Sequence, residues 1–265
     1  MSVALIAGEG LLPEVIAERM ASAGERPVVY ALRENVDELA PHVEDIVPVF
    51  RTELRAALGD MARRGVRRVM FAGLVPKTLM FNAAMQDEMT REFLAGLSSR
   101  DDHTLLGGVV RIFEAAGFEV IGYKDILGDL LATSGPIAGR TMNAAEAEDV
   151  EYGIGIARVV VPLSFGQSVI VNKKSVVAVE AMEGTDATIV RAGSICKAGA
   201  LVKMMKPGQD ARYDVPTVGP QTLNLMARAG LTCLALHAGH TLIMAKGVFM
   251  DLAVERGISV VGFEG

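Results

Sequence analysis

The chain has 265 residues, 51% of them hydrophobic and 22% charged, with a formal net charge of −6, no Trp and 5% aromatic residues. That length and apolar fraction exclude a disordered chain and allow two α/β domains, each with its own core. The acidic balance and the scarcity of aromatic rings exclude a nucleic-acid-binding surface.

Val3–Ala7 is a compact apolar strand that runs into Gly8-Glu-Gly10-Leu-Leu12-Pro13 and then a helix to about Ala23. Two glycines at a strand-to-helix turn let backbone approach a ligand, although Pro13, where the dinucleotide fingerprint has its third glycine, fits a first helical turn equally well. Val28–Leu32, Ile46–Val49 and Arg68–Ala72 predict further strands separated by helices, hence a parallel, Rossmann-like sheet. Gly73-Leu-Val-Pro-Lys77 follows the last of these at its carboxyl end, where open α/β sheets bind ligands and Lys77 can reach a phosphate. Asp101-Asp102-His103 opens another helix, as a cap or as a contact to sugar hydroxyls. After a short strand at Val120-Ile121, Thr133-Ser-Gly-Pro136 is the strongest boundary signal. It divides the chain into domains 1–134 and 135–265.

In the second domain a helix is expected over Asn143–Ala157, then strands at Ser164–Val171 and Ser175–Glu180 joined as a hairpin by Asn172-Lys-Lys174. Gly219–Arg228 and Val248–Arg256 read as helices, and Leu231–Leu236 and Ser259–Gly262 as strands of a mixed sheet. His237 and His240 have a metal-like interval but no third ligand spaced with them. Cys196 and Cys233 form no spacing motif and suit free thiols in a reducing cytoplasm. The longest uncharged run, 229–245, is interrupted by two Gly and two His and falls short of the roughly 20 apolar residues of a spanning helix.

The charges concentrate between Val179 and Val215. From Glu151 onward there are 11 Lys and Arg against 9 Asp and Glu, a net of +2, so the remainder carries −8 and an anionic ligand belongs with the C-terminal half. Gly184-Thr185 separates a β-branched strand from an apolar-periodic helix, with Thr185 or Asp186 expected to cap it and leave N–H groups facing an anion. Glu180, Glu183 and Asp186 would repel that anion unless a divalent cation such as Mg²⁺ bridges them to phosphate oxygens. Pro207-Gly208 predicts a type II turn. If Gln209–Val215 is extended, Asp210, Arg212 and Asp214 share a face, as a structural ion triad or as a site holding metal and phosphate together.

Taken together, Glu180-Ala-Met-Glu183-Gly184-Thr185-Asp186, Arg191, Lys203, Lys206-Pro-Gly-Gln209-Asp210-Ala-Arg212-Tyr-Asp214-Val-Pro216 and Gly219 resemble the LpxI-type UDP-2,3-diacylglucosamine pyrophosphatases. The N-terminal Gly8-x-Gly10-x-Leu12-Pro13, Gly73-x-Val-x-Lys77 and Asp101-Asp102 extend the resemblance over the whole chain. It implies two α/β domains and a cytoplasmic, Mg²⁺-dependent hydrolase of lipid A synthesis that cuts a nucleotide-glycolipid into UMP and lipid X. It further implies a homodimer; apart from the resemblance, an exposed apolar surface leaves room for peripheral contact at the cytoplasmic face of the inner membrane.

The catalytic aspartate that the resemblance implies falls on Asp214, as metal ligand or as a base orienting water; Asp210, Lys203 and Lys206 are the further catalytic candidates, and Asp214, Asp186 and Glu183 the candidate metal ligands. Substrate contacts would fall on Gly8, Gly10, Leu12, Pro13, Gly73, Lys77, Asp102, Gln167, Glu180, Gly184, Thr185, Asp186, Arg191, Gln209 and Arg212. Ser164-Phe165, ahead of Gln167, depart from the family's acidic-and-aliphatic pair. Two rivals are an NAD-dependent dehydrogenase resting on the N-terminal glycines and a non-catalytic sensor of the same ligand. The first lacks the third glycine, and the second gains little from acids placed beside phosphate.

Overall fold

The structure, a computed structural model, describes residues 2–49, 54–75, 87–96 and 102–265, with backbone alone at 102 and 103. Two compact units divide the chain. One is Met1–Leu127 with Asp210–Asp214, and the other is Gly128–Gln209 with Val215–Gly265.

The first unit is built on β1 (Val3–Ala7), β2 (Val28–Ala31), β3 (Asp45–Pro48), β4 (Arg68–Ala72) and β5 (Glu119–Val120). They form a wholly parallel sheet in the order β3-β2-β1-β4-β5. Helices α1 (Leu12–Ser22), α2 (Leu54–Arg63), α3 (Glu88–Ala95) and α4 (Asp102–Ala115) accompany it. Every residue of β1 is buried, as a central parallel strand covered on both faces requires. Ile6, Tyr30, Phe71, Val110 and Phe113 lie in one core cluster, with Phe71 edge-on to Phe113 at 5.1 Å. The chain reverses its winding direction between β1 and β4, so their carboxyl ends flank the switch point where such sheets take ligands.

The second unit runs through β6 (Gly135–Ala138), α5 (Ala144–Val160), β7 (Ser168–Asn172), β8 (Ser175–Val179), α6 (Gly184–Ile195), β9 (Ala200–Lys203), β10 (Thr217–Val218), α7 (Pro220–Ala229), β11 (Cys233–His237), β12 (Leu242–Ile243), α8 (Lys246–Glu255) and β13 (Ser259–Phe263). Its six-stranded sheet has the order β6-β13-β11-β9-β7-β8. The inner strands β13, β11 and β9 are parallel, while β6 and the β7–β8 hairpin run antiparallel at the two edges. β10 and β12 pair separately as a short parallel ribbon.

Period-two alternation sorts the apolar side chains of this sheet between two cores. Val169, Val171, Ala200 and Val202 join the cluster that includes Val150 and Ala157 of α5. Ile170 and Leu201 join the opposite cluster, with Ile189 of α6, Leu223 and Met226 of α7 and Phe249 of α8. Ser168 and Lys203 follow the same alternation as Ile170 and Leu201, which places them on the face covered by α6 and α7.

Candidate active site

Ser168 and Lys203 are cross-strand partners in the β7–β9 register. Lys203 is 4% exposed, and a cation taken that far out of water needs polar partners. Its Nζ donates to Thr185 Oγ1 at 2.7 Å and to Ser168 Oγ at 3.4 Å. Thr185 in turn donates to Glu180 Oε1 at 3.1 Å, and Glu180 is itself buried. The other carboxylate oxygen of Glu180 accepts from the Gln167 backbone N–H at 3.3 Å. The ends of three strands and the first turn of α6 thus converge on one ammonium, one buried carboxylate and two hydroxyls.

Two details differ from the sequence expectation. Helix α6 begins at Gly184 behind Glu183, and no side chain caps it. Thr185 lies within the first turn, where its hydroxyl serves Lys203 and Glu180 instead of a backbone N–H. Asp186, also in the first turn, does not act as the cap. It keeps contact with solvent, yet the surrounding protein raises its carboxyl pKa; burial is the main cause, Glu180 pushes in the same direction and Lys203 opposes both. Glu183 accepts from Arg191 at 2.5 Å and from Thr188 at 3.3 Å, while Arg191 also donates to the Val179 carbonyl at 2.8 Å. Arg191 is therefore positioned as a brace between β8 and α6.

The loop after β9 is tied to the same cluster. Gly208 has φ 75°, and the Gln209 N–H donates to the Lys206 carbonyl at 3.1 Å, in accord with the turn expected at Pro207-Gly208. The buried Gln209 side chain accepts from the Lys206 N–H at 3.0 Å and from Gln167 Nε2 at 3.4 Å. Lys206 Nζ donates to Ser164 Oγ, so the residue that departs from the family pattern is the direct partner of a candidate catalytic lysine.

Residues 210–214 belong to the first unit and are not extended. The Tyr213 and Asp214 N–H groups donate back to the Asp210 carbonyl, forming a helical turn, so the alternation that put Asp210, Arg212 and Asp214 on one strand face does not hold. The cause is local. The Asp210 carboxylate accepts from the Arg212 backbone N–H at 3.0 Å, and an aspartate bonded two residues on nucleates a turn. Arg212 is further held by Asp210 Oδ2 at 2.6 Å, Glu114 at 2.8 Å and the Val120 carbonyl at 3.2 Å, and the two acids drive its pKa up. Asp210 and Arg212 thus form, with Glu114, the ion triad that fastens the segment to α4 and β5, while Tyr213 packs against the core and Asp214 is half-buried at the end of the turn.

At the switch point of the first unit, Gly8 and Gly73 serve each other. Glu9 and Leu74 exchange backbone hydrogen bonds of 2.8 and 2.9 Å, and a Cβ at Gly8 would stand 2.4 Å from the Leu74 carbonyl oxygen. Gly73, at φ 87°, would meet the Glu9 oxygen at 2.6 Å and Pro13 at 3.0 Å. Gly10 has φ 94°, and Leu12 and Pro13 open α1 without a side-chain cap. Lys77 lies outside the described residues, as does the side chain of Asp102. Ser168, absent from the sequence expectation, is the added member of the site; its signal was a lone hydroxyl at the head of an apolar strand.

A family description named LpxI N-terminal domain matches residues 2–130, and one named LpxI C-terminal domain matches residues 133–261. The chain belongs to the LpxI family. Among LpxI relatives, the protein named UDP-2,3-diacylglucosamine pyrophosphatase LpxI from Caulobacter vibrioides is 30% identical over 275 residues, covering 98% of this chain and 96% of that one. The LpxI matches span both α/β units, so the resemblance carried by the charged C-terminal motif extends to the glycine-bearing N-terminal sheet.

Proposed function

We propose that the chain hydrolyses the pyrophosphate of UDP-2,3-diacylglucosamine to UMP and 2,3-diacylglucosamine 1-phosphate (lipid X). The observation that carries the proposal is the buried Lys203 ammonium, fixed by Thr185 and Ser168 at the first turn of α6, in a chain of the LpxI family. Cleaving a phosphoanhydride requires neutralisation of charge on phosphoryl oxygens more than covalent catalysis, and a preorganised cation at a helix N-terminus supplies it. Lys203 and Lys206 are the cationic groups of this reading, and Gln167 and Gln209 hold the loop that carries Lys206 in place. Asp214 takes the aspartate role by its motif position, and Asp210 is committed to Arg212.

The donors present fit a hard divalent cation. Glu180 and Asp186 are two carboxylates whose mutual repulsion contributes to the raised Asp186 pKa, and a bound cation would relieve it. Asp186, together with substrate phosphate oxygens, would hold Mg²⁺, which supplies charge neutralisation and a more acidic bound water. Among the described residues no group of three or more His, Cys, Asp or Glu side chains forms a complete cage. Mg²⁺ bound largely through phosphates and water needs only one or two carboxylates. The reading is tested by turnover in heavy-oxygen water with and without chelator. Label should enter lipid X and not UMP, and activity should vanish in chelator and return with Mg²⁺. Label in UMP, or undiminished activity of metal-stripped protein, would overturn the assignment.

A further inference from the structure

From Tyr152 to Gln167 the chain carries a single charged residue, Arg158. It nevertheless lies largely at the surface: Val159 is 68% exposed, Leu163 66% and Phe165 42%, around a reversal at Ser164, whose backbone is left-handed at φ 67°. Met182, beyond the paired end of the β7–β8 hairpin, is 76% exposed. Gly166 brings these two segments together, since a Cβ there would stand 2.1 Å from the Glu180 carbonyl oxygen. A soluble chain seldom concentrates large apolar side chains at one reversal without something to cover them. Arg158 in the last turn of α5 and Lys206, bonded to Ser164, place cations at the rim. Lys173 and Lys174 lie at the far turn of the hairpin, and Glu183, beside Met182, is paired with Arg191.

We propose that Val159 at the end of α5, Leu163 and Phe165 at the Ser164 reversal and Met182 after β8 insert together into the interface of an anionic lipid bilayer, with Arg158 and Lys206 at the level of the head groups. The inference rests on the proposed function in one respect: a substrate with two acyl chains resides in a bilayer and must be taken from it. Three further observations favour a lipid surface over a second copy of the chain. The patch is four side chains around a tight reversal, narrow beside the about 800 Å² per partner that stable dimers bury. The cations at its rim, Arg158 and Lys206, have the sign an anionic leaflet attracts. It is also continuous with the site, because the loop passes from Leu163 through Ser164, the Lys206 partner, to Ser168, the Lys203 partner. No helix among the described residues is long and apolar enough to cross a membrane, so attachment through this loop would be interfacial.

The test is flotation of the full-length protein with vesicles of phosphatidylcholine alone or mixed equally with phosphatidylglycerol. Wild-type protein should float with the mixed vesicles, and Leu163→Glu/Phe165→Ser should lower the bound fraction by about tenfold or more. Val159→Asp serves as a second variant, and Arg158→Gln should weaken binding chiefly at low salt. Both apolar variants should hydrolyse detergent-dispersed substrate at the wild-type rate. Absent vesicle binding by the wild type, or equal binding by the apolar variants, would overturn the inference. So would a light-scattering mass that falls from dimer to monomer in the variants while vesicle binding is unchanged, since the patch would then be a subunit interface. Vesicle binding without any hydrolysis would instead count against the proposed function alone.

Discussion

Replacing Lys203 by Met removes the ammonium while keeping most of the side-chain volume. The structure sets the cost. The 2.7 Å bond to Thr185 is charge-assisted and inside the protein, worth about 1.5–3 kcal/mol, whereas the 3.4 Å contact to Ser168 adds little. A net loss of about 2 kcal/mol corresponds to a fall in Tm of about 4–8 °C for a chain of this size. The pH dependence has a definite sign. Asp186 already has a pKa above its ordinary value of 3.8, with Lys203 as the opposing influence, so losing Lys203 raises it further. An acid raised on folding contributes stability below its unfolded pKa and loses it as pH rises through the folded one. The Tm deficit of Lys203→Met should therefore be larger at neutral pH than below pH 3.8, as read by circular dichroism melts. Hydrolysis should fall by about 10²–10³, the scale for losing one preorganised group that stabilises transition-state charge. Lys203→Arg should recover part of the stability. A Lys203→Met protein that melts with wild type at both pH values and turns over at more than a tenth of its rate would refute the reasoning.

Asp214→Ala should melt close to wild type while kcat falls by at least about 10², as measured by thermal melts and initial rates. Gly73→Ala should cost at least about 2 kcal/mol in chemical denaturation, because the left-handed backbone and the Glu9 oxygen both resist a Cβ. His237 is stacked on Phe263 at 5.5 Å and sits 4.3 Å from the His240 ring; burial, with help from His240 and Arg158, lowers its pKa from 6.5 to about 4. A histidine depressed in this way stabilises the fold above its unfolded pKa and loses that contribution as pH falls through the folded one. Wild-type Tm should consequently decline between pH 6.5 and 4, and His237→Phe should flatten the decline.

The parallel architecture was legible because β1 and β4 are compact β-branched or apolar runs ending in glycine, and a buried parallel strand needs nothing else to announce itself. The bounds of Val3–Ala7 and Arg68–Ala72 came out as expected. β9 did not. Ala200–Lys203 is four residues long between Gly199 and two methionines, and only pairing with the distant β7 and β11 makes it a strand. Missing β9 also hid the register that sets Ser168 opposite Lys203. The segment 209–215 misled for the opposite reason, since its polar–apolar alternation imitates a strand while the Asp210 side chain imposes a turn. Thr185 was expected to cap α6 or face an anion, but its hydroxyl went to a buried ammonium that no local pattern reveals.

Cleavage of a nucleotide-glycolipid pyrophosphate is the activity proposed for this LpxI-family chain. The most direct measurement is incubation of the purified full-length protein with UDP-2,3-diacylglucosamine radiolabelled in the β-phosphate, with Mg²⁺ present and products resolved by thin-layer chromatography. Time-dependent transfer of label to lipid X, abolished in Lys203→Met and Asp214→Ala, is the predicted result. Intact substrate after prolonged incubation at micromolar enzyme, with substrate binding retained, would contradict the account and leave a binding protein in place of a hydrolase.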